Sequence, residues 1–171
     1  MCTVTLGEVN SLDRDEFVAV LGGIFEHSPW VAERAWSSRP FATVAGLYET
    51  MVVAVERASS EEQLRLICAH PDLGARAKMS AASVSEQMEA GLDRLTGEEF
   101  ERFRALNSTY REKFGFPFIY AVKGSTKYDI LCALEQRLQA STELERSTAL
   151  EQIGRIAQFR LAELIHDRET P

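Results

Sequence analysis

Apolar residues along this chain recur at the three-to-four-residue spacing of helices, and sustained alternation is missing. Phe17, Val20, Leu21 and Ile24 form one stripe, with Ser11 or Asp13 available as its cap. Ser28 is a second cap, followed by Pro29 at a first helical position, where a missing N–H costs nothing. Arg39-Pro40 breaks the chain, and residues 43–58 then read as a mostly buried helix. Ser59 with Glu62, and Thr96 with Glu99, have capping-box spacing, while Gly115 supplies a left-handed C-terminal cap. Helical patterns over 125–140 and 142–165 complete the set. The expected fold is all-α, a single compact bundle-like domain over residues 1–171 with about seven to eight helices.

One segment departs from the pattern. "FGFPFIYAV" is apolar and aromatic, with Pro117 in its middle. Proline there forbids a regular helix and pushes its predecessor toward extended backbone. An apolar extended stretch between helices is expected to cross the core or line a pocket, where its backbone donors can serve a ligand.

Composition narrows the partners. The net charge is −7 and no run of basic residues occurs, which argues against nucleic acid or an anionic membrane as partner. No apolar stretch nears the roughly 20 residues of a membrane span. The first residues lack a basic start before an apolar core, so a cytoplasmic location is expected. The three cysteines, Cys2, Cys68 and Cys132, form no CxxC pair and read as free thiols. Cys68, two residues from His70, is expected as a small buried apolar side chain rather than a nucleophile.

Candidate chemistry begins at His70, where a helix should end. Pro71 fixes its backbone, and a helix C-terminus favours the imidazolium, so His70 is either a proton donor or a capping residue. His27 and His166 are expected to face solvent. In "SVSEQMEAGL", Ser83 and Glu86 have capping-box spacing, and the stripe Val84, Met88, Gly91, Leu92 is expected to pack inward with Gln87 at its edge. The Glu86–Gln87 pair suits a ligand rich in N–H and C=O groups, or a helix–helix hydrogen bond. Arg160 falls among Ile153, Ala157 and Leu164 on one helical face. It must snorkel outward or meet a buried anion or carbonyl, whereas Arg146 and Arg155 fall off the stripe. No HExxH, glycine-rich nucleotide loop or GxSxG occurs, so an enzyme here is expected to work without metal or cofactor.

"HPDLG", "SVSEQMEAGL", "LNSTYREKFGFPFIYAV", "ILCALEQRL" and "EQIGRIAQFRL" together resemble the 2-oxo-4-hydroxy-4-carboxy-5-ureidoimidazoline (OHCU) decarboxylase family, in its order and spacing, over roughly residues 11 to 165. The resemblance implies an all-helical, cofactor-independent carboxy-lyase that forms (S)-allantoin and carbon dioxide in urate degradation. It implies His70 as the essential histidine with Pro71 beside it, and Glu86 as the acidic residue with Ser83 and Gln87 as polar contacts. It also implies Arg160 as the family's arginine, and Phe118 and Ile119 on the segment lining the pocket. The substrate's own carbonyl and imine-like ring can take up the electrons left by carbon dioxide.

The same residues would also serve a non-catalytic module that binds ureides. Trp30, Trp36 and Phe41 are open to core or interface, which leaves a homodimer open. The substrate's lability suggests functional coupling to a hydroxyisourate hydrolase.

Overall fold

The computed structural model describes residues 3–74 and 80–166, and among them the regular structure is helical throughout, without a strand. Backbone contacts gather into two compact units: residues 1–66 with 154–171, and residues 67–153. No helix among the described residues is long and apolar enough to cross a membrane.

In the first unit, Leu6–Ser11 (α1) is a helix the hydrophobic pattern did not predict. It opens with a Thr5–Glu8 capping box and buries only Val9, so it carries no apolar periodicity to detect. Ser11 lies in its last turn and donates to the Gly7 carbonyl, which leaves Asp13 to cap Arg14–Leu21 (α2) through the Glu16 N–H. Trp30–Trp36 (α3) follows, with Pro29 rather than Ser28 at the cap position.

Val44–Glu56 (α4) starts at Thr43 and buries Leu47, Met51 and Val55, four residues apart. Val53 is 37% exposed, so α4 is one-sided rather than mostly buried. A helix packed on one face covers one stripe, and its spare valines meet solvent at little cost. Asn10 exchanges two hydrogen bonds with the Phe41 backbone, at 2.9 and 2.8 Å. Phe41 is buried in the core, whereas Trp30 and Trp36 are half-buried, with the Arg39 guanidinium 4.4 Å from the Trp36 ring.

Ser60–Cys68 (α5) and Thr142–Leu164 (α9) each carry residues of both units. The Ser59–Glu62 capping box predicted for α5 is present, the Ser59 N–H donating to Glu62 at 2.9 Å.

The second unit contains Ala81–Glu89 (α6), a 3-10 turn at Leu92–Arg94, Gly97–Phe114 (α7) and Lys127–Arg137 (α8). The Thr96–Glu99 box opens α7, and Gly115, at φ 79°, ends it in the left-handed conformation. Tyr110 is fully buried, its ring centroid 4.6 Å from Phe114 and 5.3 Å from Phe118. Cys68 is exposed, contrary to its expected burial, because Leu66 and Ile67 supply the inward positions at the end of α5. Cys132 is exposed too, and Cys2 lies outside the described residues.

Candidate active site

α5 ends at Cys68, two residues before His70, whose own N–H donates to the Ile67 carbonyl at 3.2 Å. Pro71 has no N–H to continue the helix. His70 is 6% exposed, so its imidazole is a buried polar group rather than a solvated cap. His27 and His166 are exposed, as expected.

The loop after His70 is held at three consecutive residues. Arg111 Nε donates to both Asp72 carboxylate oxygens, at 2.9 and 3.0 Å. Asn107 Nδ2 donates to the Leu73 carbonyl at 2.9 Å, and the Gly74 N–H donates to Gln87 Oε1 at 3.0 Å. Asn107 and Arg111 are four apart on α7, so they share a face and reach the same loop. Gly74 sits at φ 71°, and a Cβ there would come 3.3 Å from Leu95 Cδ1. The loop can therefore neither slide nor bulge without breaking a bond. Asn107 Oδ1 is buried and has no hydrogen-bond partner among the described residues.

α6 corrects two expectations. Its cap is Ser80, whose hydroxyl accepts from the Ser83 N–H at 3.2 Å, so Ser83 lies inside the first turn and forms no capping box with Glu86. Ser83, Gln87 and Ala90 are buried, while Val84 and Met88 are 37% and 52% exposed. The helix is thus turned with Ser83 and Gln87 inward and Val84 and Met88 outward. Fixed partners explain the inversion: Gln87 satisfies the buried Gly74 N–H, and an inward Met88 would leave that donor orphaned. Glu86 is half-buried, between the two faces.

The extended segment 116–122 follows Gly115 as expected. Phe118 and Ile119 are 1% and 2% exposed, and the Phe118 ring lies among Tyr110, Tyr120 and the Arg137 guanidinium, 4.6 Å away. Their side chains belong to the core, so the segment's free chemistry lies in its backbone. Two bonds fix that backbone: Arg137 Nη1 donates to the Ile119 carbonyl at 2.7 Å, and the Ala121 N–H donates to Gln152 Oε1 at 2.9 Å. Arg137 also donates through Nε to Glu145 Oε1 at 2.7 Å and through Nη2 to the same oxygen, which accepts the Tyr110 hydroxyl as well. Burial first, and the hydrogen bond to Glu145 second, push the Tyr110 phenol well above its usual range. At neutral pH it is a neutral donor to Glu145.

In the first unit, Arg160 is 8% exposed and donates through Nη1 to Glu26 Oε2 at 2.9 Å, with the Ile24 carbonyl at 3.4 Å. Of the alternatives open to Arg160, it meets a buried anion and a carbonyl and does not snorkel outward. Glu26 is 2% exposed, and its second oxygen is 3.8 Å from Nε2 of the exposed His27, whose φ is 46°. Arg155 is exposed and Arg146 half-buried.

The sequence pattern did not single out Glu26, Asn107, Arg111, Arg137 or Glu145. Charged residues ordinarily serve caps and solvent, so nothing local marked Glu26, Arg137 and Glu145 as ties between elements. The i, i+4 pair Asn107 and Arg111 was the available signal.

The arrangement offers a buried imidazole on an immobilised loop, a half-buried carboxylate, and backbone groups of a fixed aromatic segment. Comparison with known proteins gives that inventory a context. The chain is 53% identical over 163 residues to 2-oxo-4-hydroxy-4-carboxy-5-ureidoimidazoline decarboxylase of Haloferax volcanii, covering 95% of this chain and 97% of that protein. It is 47% identical to the uric acid degradation bifunctional protein PucL of Bacillus subtilis, covering 96% of this chain and 33% of that longer protein. Among solved structures, an (S)-allantoin synthase superposes with a TM-score of 0.76 at 38% identity, over 95% of this chain and 54% of that one. The OHCU decarboxylase family model matches residues 10–162, and the chain belongs to that family.

Proposed function

We propose that this chain removes the carboxylate of 2-oxo-4-hydroxy-4-carboxy-5-ureidoimidazoline as carbon dioxide and yields (S)-allantoin in urate degradation. The observation that carries the reading is the buried His70 on a loop tied down at Asp72, Leu73 and Gly74. A catalytic group held this way keeps its geometry without reorganising during the reaction.

The bond from ring carbon to carboxylate breaks, and its electron pair passes into the ring, where the imine nitrogen takes it up together with a proton from solvent. The hydroxyl becomes the ring carbonyl, and a proton returns to the carbon bearing the ureido group. His70 hydrogen-bonds the departing carboxylate or the neighbouring hydroxyl and orients it for loss. Glu86 accepts from the ureide N–H groups. Arg160, with its orientation fixed by Glu26, is required to bind a substrate oxygen and stabilise developing negative charge. Protonation from one side gives one enantiomer.

The test is a coupled assay in which substrate is generated fresh from urate and the product's optical signal is followed by circular dichroism. His70→Ala should retain the helical spectrum and lose on the order of 10²–10⁴ in rate. Full activity in that variant would refute the assignment. Saturable binding of allantoin by the wild-type chain, without faster appearance of the signal, would identify a binding module instead. A longer relative, named a uric acid degradation bifunctional protein and matched over 33% of its length, supports functional coupling to another activity of uric acid degradation. A hydroxyisourate hydrolase is the candidate the substrate's lability suggests. Kinetics with hydroxyisourate hydrolase added in trans would test that coupling: no shortening of the lag would argue against it.

A further inference from the structure

Arg137 makes more contacts than a helix-terminal arginine needs. It ends α8, yet its guanidinium is only 15% exposed in the side chain and is used on three sides. Nε and Nη2 meet Glu145 Oε1, Nη1 meets the Ile119 carbonyl, and the plane lies 4.6 Å from the Phe118 ring centroid. Glu145 is 1% exposed and also takes the Tyr110 hydroxyl. Tyr110 in turn sets its ring edge-on to Phe118, at 5.3 Å and 77°. An ordinary buried ion pair needs only the first of these contacts.

We propose that Arg137 is a positioning residue for the reaction: it fixes the peptide plane after Ile119 and so aims the backbone donors of the extended segment. This rests on the reading of the chain as an OHCU decarboxylase whose substrate meets that segment. The physical step is short. The only cis peptide among the described residues is Arg39-Pro40, so the Ile119–Tyr120 peptide is trans and planar. In a trans peptide the carbonyl and the N–H point in opposite directions. Arg137 draws the Ile119 oxygen toward itself, and the Tyr120 N–H is thereby turned away from it. Gln152 holds the next donor, the Ala121 N–H, at 2.9 Å. One amide of the segment is consumed internally, and the one before it has its direction set by Arg137.

Lysine cannot replace this guanidinium. Its single nitrogen can keep the charge beside Glu145, but it cannot also reach the Ile119 carbonyl in the same plane and stack on Phe118. Arg137→Lys therefore separates holding the segment from neutralising the carboxylate. With freshly generated substrate, Arg137→Lys should raise KM on the order of 10-fold to 100-fold, with kcat changed by only about a few-fold. Loss of optical purity in the product should accompany it. A folded Arg137→Lys protein with unchanged KM and optical purity would overturn the proposal.

If lysine disturbs folding, the double variant Arg137→Gln with Glu145→Gln keeps a neutral hydrogen-bonded pair while giving up the Ile119 contact, and the same KM rise is expected. Failure of both variants to fold would also overturn the proposal, since the pair would then serve stability alone. His70→Ala measured in parallel keeps the two readings apart. An inactive His70→Ala beside an unchanged Arg137→Lys sinks only the positioning role. An active His70→Ala sinks the catalytic assignment, while the Arg137 result still reports on substrate contact.

Discussion

The amide of Asn107, on α7, holds the carbonyl of Leu73, three residues beyond His70, at 2.9 Å. Neither residue touches the reacting atoms in the proposed mechanism, yet the bond decides where the imidazole's loop lies. Asn107→Leu should therefore lose on two counts. A buried carbonyl left without its donor costs about 1–3 kcal/mol, read as a lower urea midpoint. The freed loop should lower kcat/KM on the order of 10²-fold, since displacements near 1 Å have that effect. A stability loss with full activity would show that the loop keeps its place by other means.

The Arg160–Glu26 pair predicts an asymmetry between two substitutions. Both side chains are over nine-tenths buried, so Glu26→Ala removes the counter-charge of a buried guanidinium and should cost about 3–5 kcal/mol. Glu26→Gln keeps an acceptor in place and should cost distinctly less. Urea unfolding of the two variants checks the order. Equal losses would mean that packing, not charge, is what Glu26 supplies.

The inverted α6 makes a prediction opposite to the one hydropathy gives. Met88→Glu places a charge on a half-exposed position and should change stability by no more than about 0.5 kcal/mol. Gln87→Leu adds apolar volume inside but removes the acceptor of the Gly74 N–H, and should cost about 1–3 kcal/mol. Thermal melts of the two proteins would show the buried side directly.

Glu62 is a contributor to acid stability, alongside Glu99 and Asp129, whose carboxyls are also lowered by hydrogen bonds. The Ser59 N–H, then Arg34, hold the Glu62 carboxyl at about 2, below the ordinary 4.5. As pH falls, the unfolded chain takes up this proton first. The contribution is therefore whole above about 4.5 and is lost progressively toward about 2. Glu62→Gln should therefore lower stability evenly above about 4.5 and flatten the acid limb, so that the two curves converge toward about pH 2. Melting temperatures measured down to about pH 2 test it; parallel curves for the two proteins would contradict it.

Much of this was legible in the residues, for reasons that differ by element. Capping boxes at Ser59 and Thr96 and the glycine stop at Gly115 are local chemistry, and local chemistry reads directly from spacing. α6 was misread because its burial is set by long-range hydrogen bonds to the His70 loop, which periodicity does not contain. α1 was missed because one buried valine makes no pattern. His70, Glu86 and Arg160 were singled out from their motifs, whereas Glu26, Arg137 and Glu145 act through partners 134 and 8 residues distant in the chain. A pairing at such separations leaves no mark in the neighbourhood of either residue.

One turn of α7 carries Asn107, Tyr110 and Arg111. Two of them grip the loop that bears His70, and the third leads through Glu145 and Arg137 to the aromatic segment. That turn works as a phase reference for both. Each residue added to an α-helix rotates the rest of the helix by about 100°. A single insertion within the turn would thus uncouple the loop and the segment at once, while leaving the helix itself intact. Length variation in this chain should be tolerated around α7 and excluded from its middle.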